Sequence, residues 1–283
     1  QDKAVKAYTL EVANAVLKSD SDPSRADVYV DDVLVGQTPI HDGKLVNFGF
    51  RKLRVSVGGE YRDWQKVVEI KTPEVAYTGT KKIRLLKDHY KIGQMAEQSG
   101  NLDQAILAYG AIDRQNPDFS DARHRLAQLD MDEKGDFEKA IQEFEKVLSL
   151  PENKQIVYKQ FAVTYTNLGH AYYELGNQMI WKDKAAAARH FAKAIENLKI
   201  AKQNTRFFPT AEFSHAVHDT YYYSAISTHK LYLLTQKAGV LSQANQAWRE
   251  YFDFYPKQLE GDGNFEKIRK AARQYWSQIK ELS

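Results

Sequence analysis

The chain has 283 residues, 43% of them hydrophobic and 27% charged, enough apolar material for a small domain followed by a larger array. Its 40 basic and 37 acidic residues leave a net charge of +3 with the signs interspersed. No basic block alternates with aromatic rings, so no nucleic acid is expected as a partner. Cysteine is absent, which excludes disulfides, thiolate nucleophiles and cysteine-held zinc or iron–sulfur centres.

The chain starts at Gln1, and from the missing initiator Met we expect either a mature exported protein stripped of its leader or a trimmed chain. No apolar run reaches membrane-spanning length, and no transmembrane segment is expected. Lys3 to Leu17 reads as a short helix, with Tyr8, Val12, Ala15 and Val16 near helical spacing; alternatively Ala15 to Lys18 already belongs to a first strand. A polar turn over Ser19 to Ser24 precedes Ala26 to Asp31, whose alternation has the period of a half-buried strand. Asp31-Asp32 turns the chain into Val33 to Val35, and Gly36 to Pro39 interrupts again. Phe50 to Val57 alternates once more, with Leu53, Val55 and Val57 on one face. Gly58 to Tyr61 is a bend, and Trp64 to Ile70 and Thr78 to Leu85 read as returning strands of a small antiparallel sheet.

The segment Ser21 to Asp32, followed by Val35-Gly36-Gln37-Thr38-Pro39, resembles a PEGA domain over about residues 16 to 86. Asp32 and Arg25 stand where that family usually has glycine, and Gly59-Glu60-Tyr61 separates the late Gly and Tyr by one residue. The resemblance implies a surface or periplasmic adhesion or scaffolding module, without naming a ligand.

From Asp88 the period becomes helical. Tyr90 to Ser99 and Leu102 to Arg114 form a first pair stopped by Pro117; Ser120 to Lys134 and Phe137 to Leu148 form a second stopped by Pro151. The phrase beginning Gly100-Asn101-Leu102, with Ala105 and Tyr109, returns 35 residues on as Gly135-Asp136-Phe137, with Ala140 and Phe144. That period calls for stacked helical hairpins. The pattern resembles tetratricopeptide (TPR) repeats, which places Ala96 and Gln128 at the small-residue position of the first helices, Gln128 departing from the usual Gly or Ala. A third unit carries Asn167 to Tyr172, ends its first helix at Gly176, inserts Asn177 to Asp183, and resumes with Ala187, Phe191 and Ala194. A fourth runs from Ala211 to Pro256 with Ala244, Trp248 and Tyr251, and Phe265 to Leu282 forms a capping helix.

His215, His218 and His229, with Glu212 and Asp219 nearby, are spread over several turns and match no zinc motif, so no metal is expected. Asp130, Asp132, Glu133 and Asp136 surround a turn without a nucleophile or phosphate loop, and no cofactor or catalytic residue is assigned. Tyr221, Tyr222 and Tyr223 point in different directions around a helix, so at least one is expected to be exposed. Lys91, Lys159 and Asn204 do not complete a carboxylate clamp.

The expected architecture is a two-domain α+β chain: residues 1–86 as a small antiparallel, sandwich-like PEGA domain with a possible N-terminal helix, and residues 87–283 as an all-α TPR-like superhelix with a C-terminal cap. The expected function is a noncatalytic protein-interaction scaffold in a bacterial cell-envelope assembly, periplasmic or extracellular. Its concave face would bind a polypeptide through Arg125, Tyr165, Asn167, Tyr172 and Tyr222, the partner being another component of that assembly. The alternative is a carbohydrate or peptidoglycan-associated module, with Tyr29, Tyr61 or Trp64 as an aromatic platform for a glycan.

Overall fold

The computed structural model describes residues 14–76, 82–116, 118–151, 158–204 and 214–282. They divide into two compact units, one ending at Ile92 and the other starting at Gly93.

The first unit is built from β1 (Asn14–Ser19), β2 (Ser21–Asp22), β3 (Asp27–Val30), β4 (Val33–Gln37), β5 (Ile40–Asn47), β6 (Gly49–Ser56), β7 (Trp64–Ile70), β8 (Glu74–Ala76) and β9 (Ile83–Arg84). A four-stranded sheet has the order β4-β3-β6-β7, a three-stranded sheet the order β5-β1-β8, and β2 pairs with β9. Alternation along each strand turns Val28, Val30, Leu53, Val55, Val68 and Ile70 inward from one sheet and Ala15, Leu17, Ile40 and Val46 inward from the other, giving one shared core. Each such aliphatic side chain contributes roughly 1.5–3 kcal/mol on burial.

Several expectations change here. Of the two readings of the N-terminal segment, the strand holds, since Asn14–Ser19 is a strand; the earlier part of the expected helix, like Thr78 to Lys81 of the expected returning strand, lies outside the described residues. The sheet is not purely antiparallel: β1 pairs with β8, and β2 with β9, in parallel. The polar turn contains β2 because Ser21 is fully buried with its hydroxyl satisfied by Pro23 O at 2.6 Å and Thr38 Oγ1 at 2.6 Å. Strand β5 is hidden in the sequence by Asp42-Gly43 and by the 70% exposed Leu45, which break its alternation. Val57 leaves the inner face, because β6 stops at Ser56 and the chain enters its turn at Gly58.

The Gly-Gln-Thr-Pro segment has a definite mechanical role. Thr38 is buried; its Oγ1 accepts from Ala26 N at 2.9 Å, its backbone N–H donates to Ala26 O at 2.8 Å, and its carbonyl accepts from Arg25 N at 2.8 Å. One residue thereby satisfies three backbone groups that the turn would otherwise leave open. Arg25 and Asp32 adopt φ of 64°, so both keep the left-handed backbone that glycine favours.

The second unit contains paired helices. Helix α1 (His89–Gln98) starts in the first unit, and α2 (Leu102–Gly110), α3 (Phe119–Asp132), α4 (Phe137–Leu148), α5 (Tyr158–Met179), α6 (Lys184–Asn204), α7 (Ser214–Thr235), α8 (Ala238–Asp253) and α9 (Gly263–Lys280) follow. The repeated phrase has the same role twice: Asn101 and Asp136 cap α2 and α4 by accepting from Gln104 N and Lys139 N, each at 3.2 Å. Ala105, Ala140, Tyr109 and Phe144 are buried behind those caps.

The close contacts within the pairs revise the small-residue assignment. Gly93, rather than Ala96, receives the aromatic ring of its partner helix, for a Cβ at Gly93 would lie 2.5 Å from Tyr109 Cε1. Gly176 does not end α5: the helix runs on to Met179, and a Cβ there would lie 2.8 Å from Phe191 Cε1. Pro117 lies outside the described residues. Helix α7 is buried nearly all round, and α9 closes the cluster containing Trp248 and Tyr251 with Ala272 and Ile279.

Candidate peptide-binding surface

Helix α5 packs against both α3 and α7, so the first helices of successive pairs lie side by side. A run of charged and aromatic groups crosses them. On α3, Arg125 Nε reaches Glu97 of α1 at 2.8 and 3.0 Å. Burial pulls the Glu97 carboxyl upward, but hydrogen bonds from Arg125 and Tyr109 outweigh it and leave the group below the usual carboxylate range. Asp132, two turns further along the same face of α3, lies in the fields of both Arg125 and His170, yet burial still holds its carboxyl above the usual range.

On α5, His170 and Glu174 form an i,i+4 pair with Nε2 and Oε1 3.5 Å apart. Burial raises Glu174, whereas hydrogen bonds from His170 and Asn177 and the charge of Lys230 bring it below the usual range. The His170 ring stacks on Tyr223 of α7 at 3.9 Å between centroids, and Tyr173 lies 5.3 Å from Tyr223. Desolvation pushes the Tyr173 hydroxyl up to about 12 and that of Tyr223 further, so both rings remain neutral hydrogen-bonding groups. The stripe therefore intersperses the carboxyl groups of Glu97, Asp132 and Glu174 with Arg125, the His170 ring and Lys230, with a tyrosine wall beside its second half.

The sequence-derived candidates do not all meet on this stripe. Arg125 belongs to it. Asn167 sits at the α3–α5 seam, its Nδ2 3.3 Å from His124 Nε2, while His124 Nδ1 lies 3.0 Å from Thr164 Oγ1. Burial and then Arg125 lower His124 to about 4, consistent with a neutral ring accepting from Asn167. Tyr165 is half-buried on α5. Tyr172 points toward the second helices, donating to Glu145 Oε1 at 3.0 Å with Lys193 5.0 Å over its ring. Tyr222 packs among His218, Trp248 and Tyr251. None of Tyr221, Tyr222 and Tyr223 is exposed: Tyr221 is buried and the other two are half-buried, each against aromatic neighbours. His170, Glu174 and Lys230 were missed, although His170, Tyr173 and Glu174 have the i, i+3, i+4 spacing of one helix face.

The remaining clusters have structural work. His218 contacts Asp219 Oδ1 at 2.9 Å and Tyr251 OH at 3.2 Å, while His229 accepts from Trp248 Nε1 at 3.3 Å. His215 stacks on Phe265, and Glu212 lies outside the described residues. Among the described residues no group of three His, Asp or Glu converges as a metal site would require. Asp136 caps a helix, and Asp130 is buried with its carboxyl raised by desolvation. Asn204 donates to Ile200 O in its own helix, and the Lys159 side chain lies outside the described residues. In the β unit, Trp64 shares the inward row of Val28 and Val55, whereas Tyr29 lies on the opposite face beneath Arg54 at 3.6 Å. Tyr61 packs against the same core as Trp64, so these rings present no joint platform. No helix of the described residues is long and apolar enough to cross a membrane.

Comparison with family models agrees with this architecture. Residues 15–85 match the PEGA domain and residues 120–154 match a tetratricopeptide repeat. The chain thus carries an N-terminal PEGA domain followed by a TPR region. A solved thermophilic TPR protein from Thermus thermophilus is similar at 15% identity over 66% of this chain and 96% of that one, with a TM-score of 0.34. No curated protein matches the chain. PEGA and TPR modules are generally noncatalytic scaffolds, and the architecture is that of a protein-interaction module.

Proposed function

We propose that this chain is a scaffold of a bacterial cell-envelope assembly, periplasmic or extracellular, that holds a polypeptide partner along the face formed by α1, α3, α5 and α7. The observation that carries the reading is the stripe from Glu97 through Arg125, Asp132, His170 and Glu174 to Lys230, with its Tyr173–Tyr223 wall. Interspersed charged and polar groups fix register, and rings supply contact area at little entropic cost. The glycan alternative has no comparable support, since Tyr29 and Trp64 lie on opposite faces of their sheet.

The test is capture from a native envelope extract by the intact chain and by two variants, Arg125→Glu and His170→Glu, each checked for retained helicity. A defined polypeptide retained by the parent and lost from both variants is the expected result. Unchanged retention by the variants, or enrichment of glycan without protein, contradicts the proposal.

A further inference from the structure

On the side of the second helices, α6, α7 and α8 enclose an open groove of about 810 Å³. Its floor includes the buried Tyr221 and Ala247, and Phe254, 56% exposed, stacks on Tyr221 at 4.9 Å. The two walls differ in sign: α6 presents Lys199 and Lys202, and α8 presents Glu250 and Asp253. Lys202 Nζ and Glu250 Oε2 join across the floor at 2.8 Å, with Lys202 5.3 Å above the Tyr221 ring. That pair consumes one charge from each wall. Lys199 and Asp253 remain exposed, without an ion-pair partner among the described residues.

The spacing of those two charges selects an occupant. Helices α6 and α8 run the same way on either side of α7, since the ends of both meet Tyr221 near the start of α7. The Lys202–Glu250 pair sets their common level; Lys199 lies one turn before it and Asp253 one turn after it, roughly 9 Å apart along the groove. An extended chain advances about 3.3 Å per residue and turns successive side chains to opposite sides, so residues three apart reach opposite walls over that distance. Gln203 and Gln243 also line the groove, and each amide both donates and accepts, whereas Gln246 Nε2 already donates to Glu250 Oε1 at 3.2 Å. Such groups match an extended backbone, whose N–H and C=O groups are open, better than a helix, whose groups are already paired.

We propose that this groove binds a short extended segment of a partner polypeptide, in which an acidic and a basic side chain three residues apart meet Lys199 and Asp253 while the two apolar side chains between them, one turned to each wall, border the Tyr221–Phe254 floor. The site is separate from the first-helix stripe and stands without it.

The experiment uses the full chain and fluorescently labelled peptides with the cores Glu-Leu-Phe-Arg, Arg-Leu-Phe-Arg and Gln-Leu-Phe-Gln, read by anisotropy. The acid–base peptide is expected to bind saturably and to weaken about fivefold with Lys199→Glu and with Asp253→Lys. Lys199→Glu is expected to prefer the dibasic peptide, and Arg125→Glu to leave all three affinities unchanged. Both groove positions are exposed, so folding is preserved, as circular dichroism will verify. Equal binding of the neutral peptide, or loss of binding in Arg125→Glu but not in the groove variants, overturns the proposal. Binding of only a helix-stapled form of the acid–base peptide overturns it too, as does self-association of the chain that Lys199→Glu abolishes.

Discussion

The β unit and the helical unit solve the burial problem in opposite ways. The β unit folds two sheets over one core, so Leu17, Val28, Leu53 and Ile70 depend on one another across strands distant in sequence. The helical unit distributes burial over successive seams, in which Tyr109 meets Gly93, Leu198 meets Gly169 and Phe191 meets Gly176. The difference teaches where damage spreads: a lost side chain loosens the whole β unit, whereas in the helices it loosens neighbouring pairs.

The largest expected effect is therefore a paired truncation. Leu53→Ala and Phe144→Ala should each cost about 2–5 kcal/mol. Native-state hydrogen exchange should show accelerated exchange throughout the β strands in the first case, and confined to α3, α4 and α5 in the second. Uniform acceleration of the helical unit by Phe144→Ala would break the comparison.

Acidification should separate the two units next. Burial lowers His229 to about 4 from an ordinary 6.5, with Lys230 adding to the effect, and His124 is lowered to a similar value. A histidine with a depressed folded pKa contributes stability that is complete above 6.5 and lost as pH falls through about 4, because the unfolded chain takes up the proton first. Each such site contributes about 3 kcal/mol at neutral pH. Among the described residues the sheets bury no histidine. Urea titrations followed at pH 7 and pH 4.5 should thus show the helical transition moving and the sheet transition moving less.

Thr38→Val keeps the shape but removes the hydroxyl that accepts from Ala26 N and pairs with Ser21. The orphaned buried groups should cost about 1–3 kcal/mol, read as a lower urea midpoint for the β unit. The smallest effect sharpens the comparison in the opposite direction. Arg25→Gly relieves a left-handed residue at φ 64°, and the unfolding free energy of the β unit should rise by about 0.5 kcal/mol after the entropy cost of glycine.

Legibility in the sequence follows the same division. Local, repeated chemistry was readable: the Gly-Asn and Gly-Asp caps, the following Ala and the aromatic one turn later mark α2 and α4, and Ala244, Trp248 and Tyr251 mark α8. Strands whose pattern depends on distant partners were harder. Strand β5 carries a turn-like Asp-Gly inside an eight-residue strand, and the parallel pairing of β1 with β8 leaves no local trace. Gly176 reads as a stop only until Phe191 is seen against it, because glycine serves close approach as well as helix ends. The stripe was half legible: Arg125 was singled out, while His170 and Glu174 gain meaning only when α3 and α7 bring Asp132, Tyr223 and Lys230 beside them.

The most direct measurement of the central claim is a hydrogen-exchange footprint of the intact chain with and without its captured polypeptide partner. Protection of α3, α5 and α7 around Arg125, His170 and Tyr223, abolished by Arg125→Glu, is the predicted result. Protection confined to the strands of the β unit, with those helices unchanged, would contradict the account.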